Sequence, residues 1–219
     1  MRYETAPTLR AYRRLGARAR VHTWVRWATA PLGEVAELLP QDGMLLDFGC
    51  GHGLLSIELA LGSAERRIHA VDVDVEKLAV ARRAAVAAGV ADRVTFESVG
   101  DDWRPAAGAY DGVVVADVLY LFDLLHLSAV VEAGARSLRP SGIFVVKETA
   151  DTPRWQRRLA EFQERVSVRV LRLTAGDRVR LPTEEELTAS MRRAGLVVER
   201  RRLGRSVLHP HLALIGEVG

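Results

Sequence analysis

The sequence predicts an open α/β sheet, mostly parallel, with helices on both faces and an antiparallel hairpin at its C-terminal end. Three observations carry this expectation. Between residues 43 and 149, short β-branched or leucine-rich runs alternate with longer Ala/Leu-rich amphipathic stretches, the pattern of βαβ units. Where the first run meets the first helix, Gly49, Gly51 and Gly53 alternate, as glycines do where a backbone must turn tightly and leave room for a ligand. Beyond residue 183 a helix precedes two strands, so the sheet closes on a hairpin instead of another crossover.

In chain order, the strands of the central region fall at Met44–Phe48, Ile68–Asp72, Val94–Val99, Tyr110–Ala116 and Ile143–Glu148. Helices fill the gaps: Leu54–Leu61 after the first strand, Val75–Ala88 after the second with Gly89 as its C-cap, and Leu124–Leu138 before the fifth with Pro140 and Gly142 as its stop. Ahead of the sheet, residues 8–39 read as one or two helices, interrupted by Pro31, with Leu15, Val21, Trp24, Val25 and Ala28 as an apolar face. Residues 153–172 read as another helix, with Thr152 as N-cap, Pro153 at N1, and Trp155, Leu159, Phe162 and Val166 at helical spacing. In the tail, Thr183 followed by Glu184, Glu185 and Glu186 opens a helix that ends at Gly195; Leu196–Leu203 and Leu208–Val218 form the last two strands.

Composition narrows the function classes. At 219 residues, 48% hydrophobic and 27% charged, the chain has the material for one domain with a sizeable core. A lone cysteine, Cys50, excludes a disulfide framework, a zinc ribbon and a CxxC redox pair, and a cytoplasmic location is expected. The segment Met1–Thr8 carries Arg2, Glu4 and Pro7 where a secretory signal needs an apolar core, and no apolar run reaches the ~18 residues of a membrane span. The net charge is only +3, yet residues 1–30 hold seven arginines against Glu4 alone, a local +6. Such an arm meets nucleic acid, anionic lipid or an acidic substrate, or is a solvated helix face.

The densest chemical signal is Asp47-Phe48-Gly49-Cys50-Gly51-His52-Gly53, a strand running through three alternating glycines into a helix. The helix N-terminus behind such a loop presents unpaired N–H groups, which suits a nucleotide-like cofactor. Twenty-five residues after Asp47, Asp72 ends the second strand in Val71-Asp72-Val73, where a carboxylate can take both hydroxyls of a ribose. After the third strand, Gly100-Asp101-Asp102-Trp103 offers carboxylates for an exocyclic adenine amine and an indole to flank the ring. A nicotinamide dehydrogenase is disfavoured. Its Gly-x-Gly-x-x-Gly pattern would put the third glycine on Leu54 or Ser56, and a diphosphate would be repelled by Asp47.

These features, in this order, resemble the class I S-adenosylmethionine-dependent methyltransferases. The family's Asp/Glu-x-Gly-x-Gly-x-Gly loop matches Asp47, Gly49, Gly51 and Gly53, its acidic end of strand two matches Asp72, and its Gly-Asp step after strand three matches Gly100-Asp101. The strand-four segment Tyr110–Asp117 and the Leu138–Gly142 turn are also similar, although the family usually has glycine where Ser141 stands. The resemblance covers residues 43–149 closely and Glu185–Val218 loosely. It implies a Rossmann-like sheet and S-adenosylmethionine as cofactor, bound by Asp47, Gly49, Cys50, Gly51, Gly53, Asp72, Val73, Asp101, Asp102, Trp103 and Asp117. It also implies a single domain over 1–219: a helical lid at 1–42, the cofactor-binding core at 43–149, a helical insertion at 150–182, and a helix with the C-terminal hairpin at 183–219.

For the reaction, the sulfonium donor is already activated, so the protein must chiefly align the acceptor, exclude water and manage a proton. Adenine- and glutamine-methylating enzymes often carry Asn/Asp-Pro-Pro-Tyr/Phe after strand four, whereas this chain has Ala116-Asp117-Val118-Leu119-Tyr120. The candidates for handling an acceptor are Tyr120, Lys147, His209 and His211, the histidines as the natural bases near neutral pH. Cys50 has no partnering base, and Asp117, Asp123 and Asp151 lie on separate elements, so no metal site is expected. The expected acceptor is an apolar or lipid-like small molecule bearing a hydroxyl, carboxyl or amine. Nucleic acid is not the expected partner, and peripheral membrane contact stays open. An RNA or protein methyltransferase using the basic arm, and a cofactor-binding protein without turnover, remain the alternatives.

Overall fold

A computed structural model describes residues 6–149, 182–204 and 211–218. Most of the 150–182 insertion, including the expected helix over 153–172, lies outside the described residues, as does His209.

The first strand, β1 (Gly43–Phe48), is followed by α4 (Leu54–Gly62), β2 (Arg66–Asp72), α5 (Val75–Ala88), β3 (Val94–Ser98) and β4 (Tyr110–Ala116). A single 3₁₀ turn, Leu119–Leu121, leads to α6 (Leu124–Ser137) and β5 (Leu138–Thr149); α7 (Glu184–Arg193), β6 (Leu196–Leu203) and β7 (His211–Val218) complete the described chain. Ahead of the sheet stand α1 (Pro7–Ala11), α2 (Ala17–Thr29) and α3 (Leu32–Glu37), three short helices where the sequence pattern reads as one or two. Among the described residues, seven strands form one sheet in the order β3-β2-β1-β4-β5-β7-β6. The first five pair in parallel, and β7 inserts antiparallel between β5 and β6.

Side-chain alternation along the strands divides the core in two. Leu45, Ile68, Ala70, Val114 and Val145 face α1, α3, α4 and α5, while Leu46, Val71, Val113, Val115 and Phe144 face α6 and α7. Capping residues set the helix ends. Asp74 accepts from the N–H groups of Glu76 and Lys77 at the start of α5, Asp123 accepts from His126 at the start of α6, and Thr183 and Glu186 form a reciprocal capping box on α7.

Two expectations are corrected. The Leu138–Gly142 turn does not precede the fifth strand: β5 begins at Leu138, opposite Tyr110, and the extra residues are taken up as a register shift before Ile143 pairs with Gly112. Of the expected apolar face of the N-terminal segment, Leu15 packs against the core but Val21, Trp24, Val25 and Ala28 do not. Ala19 and Thr23 are the buried residues of α2, and Val21, Trp24 and Val25 point outward. Among the described residues no helix is long and apolar enough to cross a membrane.

Candidate active site

Strand order reverses between β1 and β4, and a crevice opens there at the carboxyl ends of the strands. It holds a cavity of about 250 Å³ walled by the glycine loop, the end of β2, the end of β4 and the inner side of α2. A second chamber of about 480 Å³ lies between the β3–β4 connection and α6. The two chambers share Phe48, Val73, Val99 and Phe122 as lining residues.

The loop's shape follows from its glycines. Gly49, Gly51 and Gly53 all take left-handed backbone angles, with φ of 74°, 54° and 76°. They serve different ends. A Cβ on Gly49 would lie 2.5 Å from Val118 Cγ2, and one on Gly53 would lie 2.8 Å from both Ala81 and Phe96, so these two permit close packing. A Cβ on Gly51 would stand in the open cavity, 4.0 Å from Lys77 Cδ, so this glycine leaves space for a ligand. The Gly49 and Cys50 N–H groups donate to the Val71 carbonyl, tying the loop to β2, and α4 starts at Gly53 without a side-chain cap.

Two carboxylates frame the loop. Asp47 is 2% exposed and accepts a hydrogen bond of 2.5 Å from Ser56. Burial, with the neighbouring charge of Asp72, raises its pKa to about 6 against the opposing Ser56 bond. Asp72 accepts from the Gly51 N–H at 2.8 Å and from the Asp74 N–H at 2.9 Å, so it shapes the loop as well as facing the cavity.

Asp117, just past β4, has φ of 54°, uncommon for a side-chain-bearing residue. Its carboxylate receives Lys147 Nζ at 2.6 Å on both oxygens and Arg26 Nη1 at 2.7 Å. Burial opposes ionisation of Asp117, but the charges and hydrogen bonds of Lys147 and Arg26 outweigh it and hold the carboxyl below the usual range. Arg26 comes from α2, so this cluster ties the N-terminal helices to the floor of the cleft. Glu148, buried next to it, accepts from the Leu119 N–H at 3.1 Å.

The structure thus brings Asp47, Gly49, Cys50, Gly51, Asp72 and Asp117 to one cavity, with Tyr120 on its wall. Val73 borders both chambers, and Asp101 and Trp103 border the second. The Trp103 ring lies 6.4 Å from Phe48 and edge-on to His69 at 5.9 Å, and His69 is itself held between the Tyr110 hydroxyl and Glu97. Asp102 is exposed and borders neither chamber, and Gly53 is a packing residue.

Two candidates for the acceptor side are displaced. Lys147 is fully buried with its ammonium against Asp117, which removes it as a group that touches substrate. His211 donates from Nε2 to the Thr29 carbonyl at 2.6 Å and borders neither chamber, so it anchors the end of α2.

Sequence reasoning missed His22 and His52. Both line the first cavity, their ring centroids are 4.5 Å apart, and each has a buried Nδ1 without a hydrogen-bond partner among the described residues. Burial, aided by His52 and nearby cations, lowers His22 to about 3; burial and Lys77 lower His52 to about 4, so both rings are neutral at pH 7. The position of His52 between two loop glycines was the available signal. His22 carried none, because only the fold brings α2 over the loop.

A family model described as a methyltransferase domain matches residues 22–200. The chain is 32% identical over 118 residues to a ubiquinone biosynthesis O-methyltransferase of Xanthomonas axonopodis pv. citri, covering 54% of this chain and 48% of that protein. It is 33% identical over 116 residues to a dimethylglycine N-methyltransferase of Parasynechococcus marenigrum, covering 51% of this chain and 39% of that protein. The chain therefore spans half or less of the length of these curated relatives. The fold is shared with an O-methyltransferase family protein from Burkholderia thailandensis, with a TM-score of 0.73 at 19% identity over 96% of this chain and 62% of that one. The open space over Gly51, the paired acids Asp47 and Asp72 and the unpartnered imidazole nitrogens fit a cofactor with a charged amino-acid tail and a ribose. With its match over residues 22–200, the chain belongs to the methyltransferase domain family, whose cofactor is S-adenosylmethionine.

Proposed function

We propose that the chain transfers the methyl group of S-adenosylmethionine to a hydroxyl, carboxyl or amine of an apolar or lipid-like small molecule. The observation that carries this reading is the pair of chambers. The first sets Asp47, Asp72 and the glycine loop beside Leu32, Leu54 and Leu55, and Phe48, Val73, Val99 and Phe122 join it to a second that Asp101 and Trp103 border; both are lined more by apolar than by polar surface. When bound, S-adenosylmethionine supplies a methyl group already activated on a sulfonium sulfur. The remaining work belongs to the chain. Asp47 would hold the cofactor's ammonium, Asp72 its ribose hydroxyls, and Asp101 with Trp103 its adenine.

The Asp117–Lys147–Arg26 cluster fixes the floor, so the cavity does not reorganise as charge moves within it. Neutral His22 and His52 on the cavity wall can orient a ligand group by hydrogen bonding, but burial and nearby cations make them weak bases, so the proton of an acceptor hydroxyl or ammonium would leave to solvent. The names of the relatives, a ubiquinone biosynthesis O-methyltransferase and a dimethylglycine N-methyltransferase, support a small-molecule acceptor. The test is transfer of tritium from labelled S-adenosylmethionine to a lipid extract, a water-soluble metabolite extract and total RNA in parallel. Label in the lipid extract is expected; label in RNA alone would overturn the proposal.

A further inference from the structure

Helix α2 has two unlike sides. His22, Thr23 and Arg26 border the cofactor cavity, while Val21, Trp24 and Val25 look outward at 63%, 41% and 43% exposure. At positions i, i+3 and i+4 the three outward residues adjoin one another as one apolar strip. A helix packed on a globular core normally turns such a strip inward, whereas here the inward positions are Ala19, Thr23 and the half-buried Trp27. Exposed arginines precede the strip along the chain, with Arg13 and Arg14 just ahead of the helix and Arg18 and Arg20 in its first turn. No aspartate or glutamate occurs between residues 6 and 33.

We propose that the outer side of α2 docks on an anionic phospholipid bilayer. A basic helix with an indole and two branched aliphatic side chains on its outer face has the chemistry of an interfacial element: the apolar strip enters the headgroup boundary and the guanidinium groups meet lipid phosphates. Nucleic acid would also attract the arginines, but phosphate contacts leave Val21 and Val25 without a role, and that asymmetry decides for lipid. Because the opposite side of the same helix borders the cavity, docking sets the cleft at the surface from which a lipid-like acceptor would enter. The purpose of docking rests on the acceptor reading above, but the docking itself does not.

The test is sedimentation of the full chain with vesicles of phosphatidylcholine alone and of phosphatidylcholine mixed equally with phosphatidylglycerol. Binding is expected to the anionic vesicles only. Trp24→Ser, the pair Val21→Ser/Val25→Ser and the pair Arg13→Gln/Arg14→Gln should each weaken it by about tenfold or more, the arginine pair also flattening its dependence on salt. Trp24→Phe should retain binding yet lose most of the fluorescence quenching by brominated lipid that the native chain shows, which locates the strip in the bilayer. Binding of S-adenosylhomocysteine should be unchanged in the Trp24 variants, so a negative vesicle result would leave the cofactor reading standing. Docking is overturned if anionic vesicles fail to bind the chain, if Trp24→Ser binds them as well as the native chain, or if the arginine pair abolishes retention of RNA while vesicles are ignored.

Discussion

Lys147 Nζ lies 2.6 Å from each carboxylate oxygen of Asp117, and the two side chains are 0% and 9% exposed. The lysine near the end of β5 is thus the counter-ion of the residue just past β4. The Asp117 N–H also donates to the Lys147 carbonyl at 2.9 Å, so backbone and side chain together hold Asp117 at its left-handed φ.

Removing one partner of such a pair leaves a buried charge. Lys147→Met should destabilise the fold by about 3 kcal/mol, with Arg26 compensating only part of the loss. The double variant Lys147→Met/Asp117→Leu should lose less than the single one. Urea unfolding of the native chain, Lys147→Met, Asp117→Leu and the double variant checks this; a double variant as unstable as the sum of the two single ones would show that the pair is not coupled.

Asp47 makes stability depend on pH. Its folded pKa of about 6 exceeds the ordinary value of 3.8, so the folded state binds an extra proton between these values. The contribution of Asp47 to stability is therefore greatest below the lower value and falls as pH rises toward the upper one, by about 3 kcal/mol. Asp47→Asn should unfold at higher urea than the native chain at pH 8 and match it near pH 4. Cofactor affinity has the opposite sign, because a protonated Asp47 cannot pair with an ammonium. Binding of S-adenosylhomocysteine should weaken as pH falls through about 6.

Two glycines of one loop should respond differently to the same change. Gly53→Ala forces a Cβ to 2.8 Å from Ala81 and Phe96, and should cost about 2–3 kcal/mol of stability. Gly51→Ala meets no close neighbour and should cost about 1 kcal/mol, yet block the space over the loop and abolish cofactor binding. Thermal unfolding with and without S-adenosylhomocysteine separates the two.

The central sheet is legible in the sequence because each of its elements carries its own local signal. The helix Val75–Ala88 is bounded as expected since Asp74 caps it and Gly89, at φ of 72°, ends it. The departure at Ser141 also has a physical counterpart: φ there is 65°, the conformation that favours the family's glycine. Ser141→Gly should stabilise the fold by about 0.5–1 kcal/mol, measured by urea unfolding. What sequence reasoning could not supply were relations between distant segments. Arg26 reads as one of many basic-arm arginines until α2 is placed over Asp117, and Lys147 reads as a strand-end charge until β4 and β5 are paired. Trp24 fits an inward-facing stripe by spacing alone, and only the packing of Ala19 and Thr23 shows that the helix is turned the other way.

The central claim is that the Asp47–Gly53 loop and Asp72 bind S-adenosylmethionine. Calorimetric titration with S-adenosylhomocysteine and, separately, with NADH tests it most directly, using the native chain and Asp72→Ala. The account predicts saturable heat from S-adenosylhomocysteine and none from NADH. Asp72→Ala should bind about 2 kcal/mol more weakly, roughly thirtyfold, since it loses the ribose contacts and the Gly51 N–H anchor while native circular dichroism persists. Heat from NADH with none from S-adenosylhomocysteine, or an unchanged dissociation constant in a folded Asp72→Ala, would contradict it.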